Sequence, residues 1–181
     1  MATMRATDVI RRFDAAELSL CLLLNRGCTS QPVREFFGAV SRLGDGAFWY
    51  ALIVALPFLY GESGRGPALQ MALTGLIGVA LYKVLKRTLV RERPFIQCDR
   101  IALGTAPLDR YSFPSGHTLH AVSFTTMCTG HFPELGVVLV PFALLIAASR
   151  VILGLHYPTD VLAGAALGFG LASASLQVVG A

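Results

Sequence analysis

The 181-residue sequence predicts an all-α, integral-membrane helical bundle of five to six spans. It reads as one membrane-embedded domain over 1–181, with a polar site at one membrane interface. Three observations predict this. Apolar residues make up 54% of the chain and charged residues only 14%. Counted with glycine and without tyrosine, the apolar share is roughly 61%, against about 45–50% in soluble domains. Long uncharged runs recur between short polar connections, at lengths close to those that cross hydrocarbon. Arginine, histidine and aspartate crowd at the ends of those runs, where ionisable groups are expensive and mark function.

Taken in order, the first 45 residues predict interfacial or tilted N-terminal helices, ahead of a core bundle over 46–181. Ile10, Phe13, Leu18, Leu20 and Cys21 follow helical spacing and predict one apolar face. The uncharged stretch Leu18 to Asn25 is too short to span alone, so Ala6 to Asn25 is read as lying at the interface or entering at a tilt. No signal-peptide apolar region follows the N-terminal basic residues, because Asp14 and Glu17 interrupt it. Arg26 to Asp45 predicts a loop and a short interfacial helix carrying Phe36, Phe37 and Val40. Glu17 and Asp45 read as interfacial or capping residues.

Gly46 to Gly61 is uncharged, with Trp49, Tyr50 and Tyr60 near its ends, as suits a span anchored at both interfaces. Gly66 to Tyr82 predicts a second span, antiparallel to the first because Gly61 to Gly66 is brief. Lys83 to Phe113 is a long polar loop. A third span is expected from near His117 to Gly130, a fourth from Leu135 to Leu155, and a fifth from Thr159 to Val179. The last is rich in small residues that let helices approach closely. With this topology, Lys86–Arg93, the start of the third span and Arg150–Asp160 fall on one side of the membrane.

The net charge of +4 forms no basic stripe with interleaved aromatics, which argues against nucleic-acid binding. Four cysteines show no CxxC spacing, so a zinc site is not expected. Cys21 and Cys128 sit in apolar runs. Cys28 and Cys98 lie in polar connections, and the sequence leaves a bridge between them open.

Three clusters carry the chemistry: Lys86-x6-Arg93-Pro94, Pro114-Ser115-Gly116-His117, and Ser149-Arg150-x5-His156-x3-Asp160. Lys86, Arg93 and Arg150 supply three cations, the need of a phosphoryl group whose charge spreads over its oxygens in transfer. Gly116 lets backbone approach an anion at a helix start, and Ser115 adds a hydroxyl. Together the clusters resemble the three-part signature of the type 2 phosphatidic acid phosphatase family, which shares its site with the vanadium haloperoxidases. The resemblance is tight from Lys86 to Asp160.

The resemblance implies a membrane lipid phosphatase acting on a phosphate monoester or pyrophosphate. The candidate substrates are undecaprenyl diphosphate, phosphatidylglycerol phosphate and phosphatidate, the first by analogy with small bacterial members. His156 would attack phosphorus and form a phosphohistidine, with Asp160 holding its other ring nitrogen. His117 would protonate the leaving oxygen and later activate water. Lys86, Arg93, Ser115, Gly116 and Arg150 would bind phosphate. Ser149 belongs to the pattern, but capping or packing is an equal reading. Arg87 and Arg91 are extra cations in the same loop, read as solvated, with a hold on a diphosphate as the alternative. The scheme needs no cofactor and no metal, and the scattered carboxylates suggest no Mg²⁺ site. Two alternatives stay open: a lipid phosphotransferase using the same histidine, and a non-enzymatic transporter. The bilayer and a lipid phosphate are the expected partners, and oligomeric state is open.

Orientation carries a conflict. With the N-terminal helix crossing, eleven basic residues fall on the site's side and four on the other, which points to the cytoplasm. The resemblance implies a bacterial inner-membrane protein whose site faces the periplasm, and that is the reading adopted.

Overall fold

Local chemistry sets most of the helix ends. The structure, a computed structural model, describes residues 2–180, with side chains described for Arg12 and from Asp14 to Val178. The helices are α1 (Ala2–Asn25), α2 (Gln31–Gly44), α3 (Ala47–Tyr60), α4 (Glu62–Thr88), α5 (Pro94–Gln97), α6 (Gly116–His131), α7 (Gly136–Ile152) and α8 (Pro158–Gly180). Short 3₁₀ turns lie at Arg26–Thr29 and Pro133–Leu135. Pro32, Pro94 and Pro158 open α2, α5 and α8, where a missing N–H and a fixed φ suit the first turn. No strand occurs among the described residues, so the all-α class holds.

The span count is lower than expected. Among the described residues, three helical stretches are long and apolar enough to cross a membrane: Glu62–Thr88, Pro133–Ile152 and Pro158–Val178. A fourth crossing arises if α2 and α3, bent by 50° at their junction, count as one broken span. The expected spans at 46–61 and 117–130 are helices of 14 and 16 residues, short of the roughly 20 that hydrocarbon requires. For α6 the reason is its position. It packs against α8, α7 and α4, and a helix enclosed by helices needs no lipid-matched apolar length. α1 has 24 residues but is too polar to count as a span.

The N-terminal face differs in detail. Cys21 is buried and Leu18 packs with it, but Leu20 is 42% exposed. The buried line is instead Glu17, Cys21 and Asn25, one turn apart. Ile10 and Phe13 lie outside the described side chains. α4 also runs further than expected, to Thr88, so Lys86 stands on a helix rather than in a loop. Basic residues in that last turn complement the negative end of the helix.

The main core gathers Trp49, Leu56, Met71, Met127 and Ile146, with Trp49 set against Phe48, Phe124 and Phe142. Large apolar side chains such as Phe58 and Val137, 85% and 82% exposed, point outward, as suits a chain solvated by lipid. Buried polar groups at the far end of the bundle find each other. Gln70 donates to Ser175 O at 2.8 Å and lies 2.7 Å from His131 Nε2. Such pairing is how polar groups survive between helices in hydrocarbon. All four cysteines are free, so the Cys28–Cys98 option is not taken. Cys28 packs instead with Leu153 and Leu155.

α6 and α8 touch backbone to backbone. A Cβ on Gly168 would lie 2.3 Å from Leu119 O, and one on Gly164 would lie 2.5 Å from Ser115 O. Neither carbonyl belongs to a flexible side chain. Gly168→Ala is therefore expected to destabilise the bundle by about 1–3 kcal/mol. A thermal unfolding midpoint in detergent equal to wild type would refute that contact.

Candidate active site

The last cluster is held by a tight turn between α7 and α8. Gly154 adopts φ 73°, and a Cβ there would lie 2.8 Å from Ala102 O, so glycine serves both the turn and the close approach. Leu155 N and His156 N both donate to Arg150 O at 3.0 Å. His156 is thereby folded under the end of α7, 1% exposed. Burial lowers the pKa of His156 well below the usual histidine value, and Arg150, Arg93, Lys86 and His117 add to the effect. The imidazole is therefore neutral at neutral pH, the form that carries a nucleophilic lone pair.

Arg93 is nearly fully buried and reaches from the N-cap of α5 across the site. Its Nη1 donates to Leu155 O at 2.7 Å and lies 3.2 Å from His156 Nε2. Its Nη2 donates to Asp109 Oδ1 at 2.7 Å. Lys86 Nζ donates to both Asp109 oxygens, at 2.7 and 2.8 Å, and to Tyr111 O at 2.9 Å. Arg150, 2% exposed, donates through Nη1 to Ser41 Oγ, while its Nε has no protein partner. His117, in the first turn of α6, contacts Asp45 Oδ1 through Nε2.

Lys86, Arg93, Arg150, Gly116, His117 and His156 share the wall of one cavity of about 820 Å³. Its other lining includes Trp49, Ile53, Val54, Leu76 and Val79 from α3 and α4. The cavity therefore has a cationic head and an apolar body. Residues from all three sequence clusters meet there.

Two expected roles are not seen as drawn. Ser115 is fully buried as the N-cap of α6, with Oγ 3.0 Å from Thr118 Oγ1 and accepting from Thr118 N at 3.5 Å. Its hydroxyl is engaged in its own helix, and it is not on the cavity wall. Asp160 lies beside His156, but Oδ2 is 3.6 Å from Nδ1, beyond a hydrogen bond. That Nδ1 has no partner. Catalytic hydrogen bonds are often long before substrate binds and tighten with it. Ser149 donates to Ile146 O at 2.6 Å, the packing alternative.

The PAP2 superfamily model matches residues 67–181. The chain belongs to the PAP2 superfamily. Among curated relatives, it is 30% identical to the lipid A 1-phosphatase of Rhizobium etli over 164 residues, 78% of this chain and 70% of that protein. It is 33% identical to the undecaprenyl-diphosphatase BcrC of Bacillus subtilis over 114 residues, 62% of this chain and 58% of that protein. The chain thus spans about two thirds of these relatives' lengths. The crystal structure of Aquifex aeolicus LpxE matches with a TM-score of 0.77 at 28% identity, covering 88% of this chain and 94% of that one. The family named by the motifs is therefore the family found.

Around the PAP2 motifs lie groups that sequence reading missed. Arg91, read as a solvated cation, instead donates to Asp160 Oδ1 at 2.7 Å, Thr159 Oγ1 at 2.8 Å and Glu17 Oε2 at 2.6 Å. It also stacks 3.9 Å from the Tyr157 ring centre. Glu17, already read as interfacial or capping, accepts from Thr159 N at 2.9 Å, a cap for α8 supplied by α1. Asp109 was not singled out. Burial pushes its carboxyl pKa up, but Lys86 and Arg93 outweigh burial and hold it below the usual value. None of these pairs has a local spacing signal, because the partners are far apart in sequence. Among the described residues, no group of three or more His, Cys, Asp or Glu is arranged to hold a metal ion.

Proposed function

We propose that this chain is a lipid phosphatase that hydrolyses a phosphate monoester or pyrophosphate of a membrane lipid through a phosphohistidine on His156. The observation that carries the reading is the imidazoles of His117 and His156 and the cations Lys86, Arg93 and Arg150 on the wall of one cavity, whose body is lined by Trp49, Ile53, Val54, Leu76 and Val79. In this reading Arg150, Arg93 and Lys86 grip the phosphoryl oxygens, with Asp109 holding the latter two in place before substrate arrives. His156 attacks through Nε2, and Asp160 steadies the positive ring through Nδ1. His117 protonates the leaving oxygen and then takes a proton from the attacking water. The lipid chain lies along α3 and α4. Neither step calls on a metal.

A polyprenyl diphosphate is the favoured substrate. Its support is the likeness to BcrC and the further cations Lys83, Arg87 and Arg110 on the cavity wall, where a second phosphate would lie. The test is a phosphate-release panel over undecaprenyl diphosphate, phosphatidylglycerol phosphate, phosphatidate and lipid A 1-phosphate, with and without EDTA. Fastest release from the diphosphate, unchanged by EDTA, is expected. Release only in the presence of an acceptor lipid would favour phosphotransfer instead.

The proposed setting is a bacterial inner membrane with the site facing the periplasm. Cys21, Cys28 and Cys128 are each 1% exposed, whereas Cys98 is half-buried on the site's side. A membrane-impermeant maleimide should therefore label Cys98 in intact cells. Labelling only after lysis would place the site in the cytoplasm.

A further inference from the structure

The elbow between α2 and α3 reads Gly44-Asp45-Gly46 and is built to hold the middle residue in place. Gly46 has φ 128°, a conformation side-chain-bearing residues rarely adopt, and it allows the 50° bend. Gly44 is buried against α7, where a Cβ would sit 3.1 Å from Ile146. Asp45 N donates to Arg42 O at 3.1 Å and closes the end of α2. The carboxylate thus fixed reaches His117 Nε2. One turn earlier on α2, Ser41 meets Arg150. A single helix end therefore serves two residues of the site. It lies upstream of residues 67–181, the part that matches the superfamily.

We propose that Asp45 is the positioning residue of the proton donor, forming with His117 a second His–Asp pair in the site. This rests on His117 acting as general acid and base. The electrostatics call for such a partner. Burial opposes an imidazolium at His117, and so do Arg150 and Lys86 on the same cavity wall. A carboxylate on Nε2 supplies the counter-charge and leaves Nδ1 for the substrate. In the first step the His156 nitrogen bonds to phosphorus, the bond from phosphorus to the leaving oxygen breaks, and the Nδ1 proton passes to that oxygen. In the second, water oxygen bonds to phosphorus, the nitrogen–phosphorus bond breaks, and a water proton returns to Nδ1. Asp45 accepts from Nε2–H throughout and does not itself take a proton.

The test uses two substrates with similar tails. Hexadecyl phosphate leaves as an alkoxide and needs the proton. para-Nonylphenyl phosphate leaves as a phenoxide and barely does. kcat/KM reports the step in which the leaving group departs. Asp45→Asn is expected to lower kcat/KM about 10²-fold on the alkyl phosphate and little on the aryl one. Asp45→Glu should recover part of the loss, and Asp45→Asn should add nothing in a His117→Ala background. Equal loss on both substrates, full additivity with His117→Ala, or a faster enzyme from relief of charge repulsion would overturn the role of Asp45 alone. A His117→Ala variant that is itself equally impaired on both would overturn the general-acid reading, and Asp45's role with it.

Discussion

Replacing His156 with alanine is expected to lower phosphate release by about 10⁶-fold, to the background of the assay. His156 is neutral, buried and close to Arg93, and it stands on the wall of the cationic end of the cavity. His117 is held by Asp45 through Nε2 and is assigned to the proton, and both ring nitrogens of His120 lie against backbone carbonyls, which leaves His156 for the attack. Removing the nucleophile leaves the three cations and the lipid site intact. Substrate binding should therefore survive within a few-fold while turnover vanishes. Equilibrium binding of the same lipid to His156→Ala separates the two effects. A variant that still turns over at a hundredth of the wild-type rate would show that the attacking group is something else.

The second large effect is expected at Arg150. Lys86 and Arg93 already have their donors engaged by Asp109 and by backbone carbonyls. Arg150 differs, because its Nε is buried with no protein acceptor. A buried charged donor without a partner is expensive, and an incoming phosphoryl oxygen would supply the acceptor. Arg150→Ala should lower kcat/KM by about 10³-fold. Arg150→Lys should fall between, since an ammonium keeps the charge but lacks the planar fork that meets two oxygens at once. Steady-state phosphate release on the preferred lipid measures both. Equal rates for Ala and Lys variants would mean that charge alone does not explain the position.

Much of this arrangement could be read from residue order, for definable reasons. Apolar runs bounded by charge marked α4, α7 and α8, because hydrocarbon imposes a length. The turn from Gly154 to Pro158 keeps Arg150, His156 and Asp160 within ten residues of one another, so spacing alone brought them together. The helix start at Ser115 was legible too, but its hydroxyl could be assigned to phosphate as easily as to its own helix. What stayed hidden was long-range pairing. Asp45 and His117 are 72 residues apart, and Glu17 and Arg91 are 74 apart. Only the bend after α2 and the packing of α1 against α8 bring such partners together. By length and apolarity alone fewer helices qualify than the five to six spans expected, because α6 is enclosed by protein, a fact about neighbours that one helix's composition does not carry.

Transfer through His156, as proposed, would take two in-line displacements at phosphorus, each inverting its configuration. The most direct measurement is the stereochemical course with a substrate whose transferred phosphoryl group is made chiral with oxygen isotopes. Two inversions give net retention, which is the outcome predicted here. Net inversion would mean that water attacks the lipid phosphate directly, and that His156 never carries the phosphoryl group.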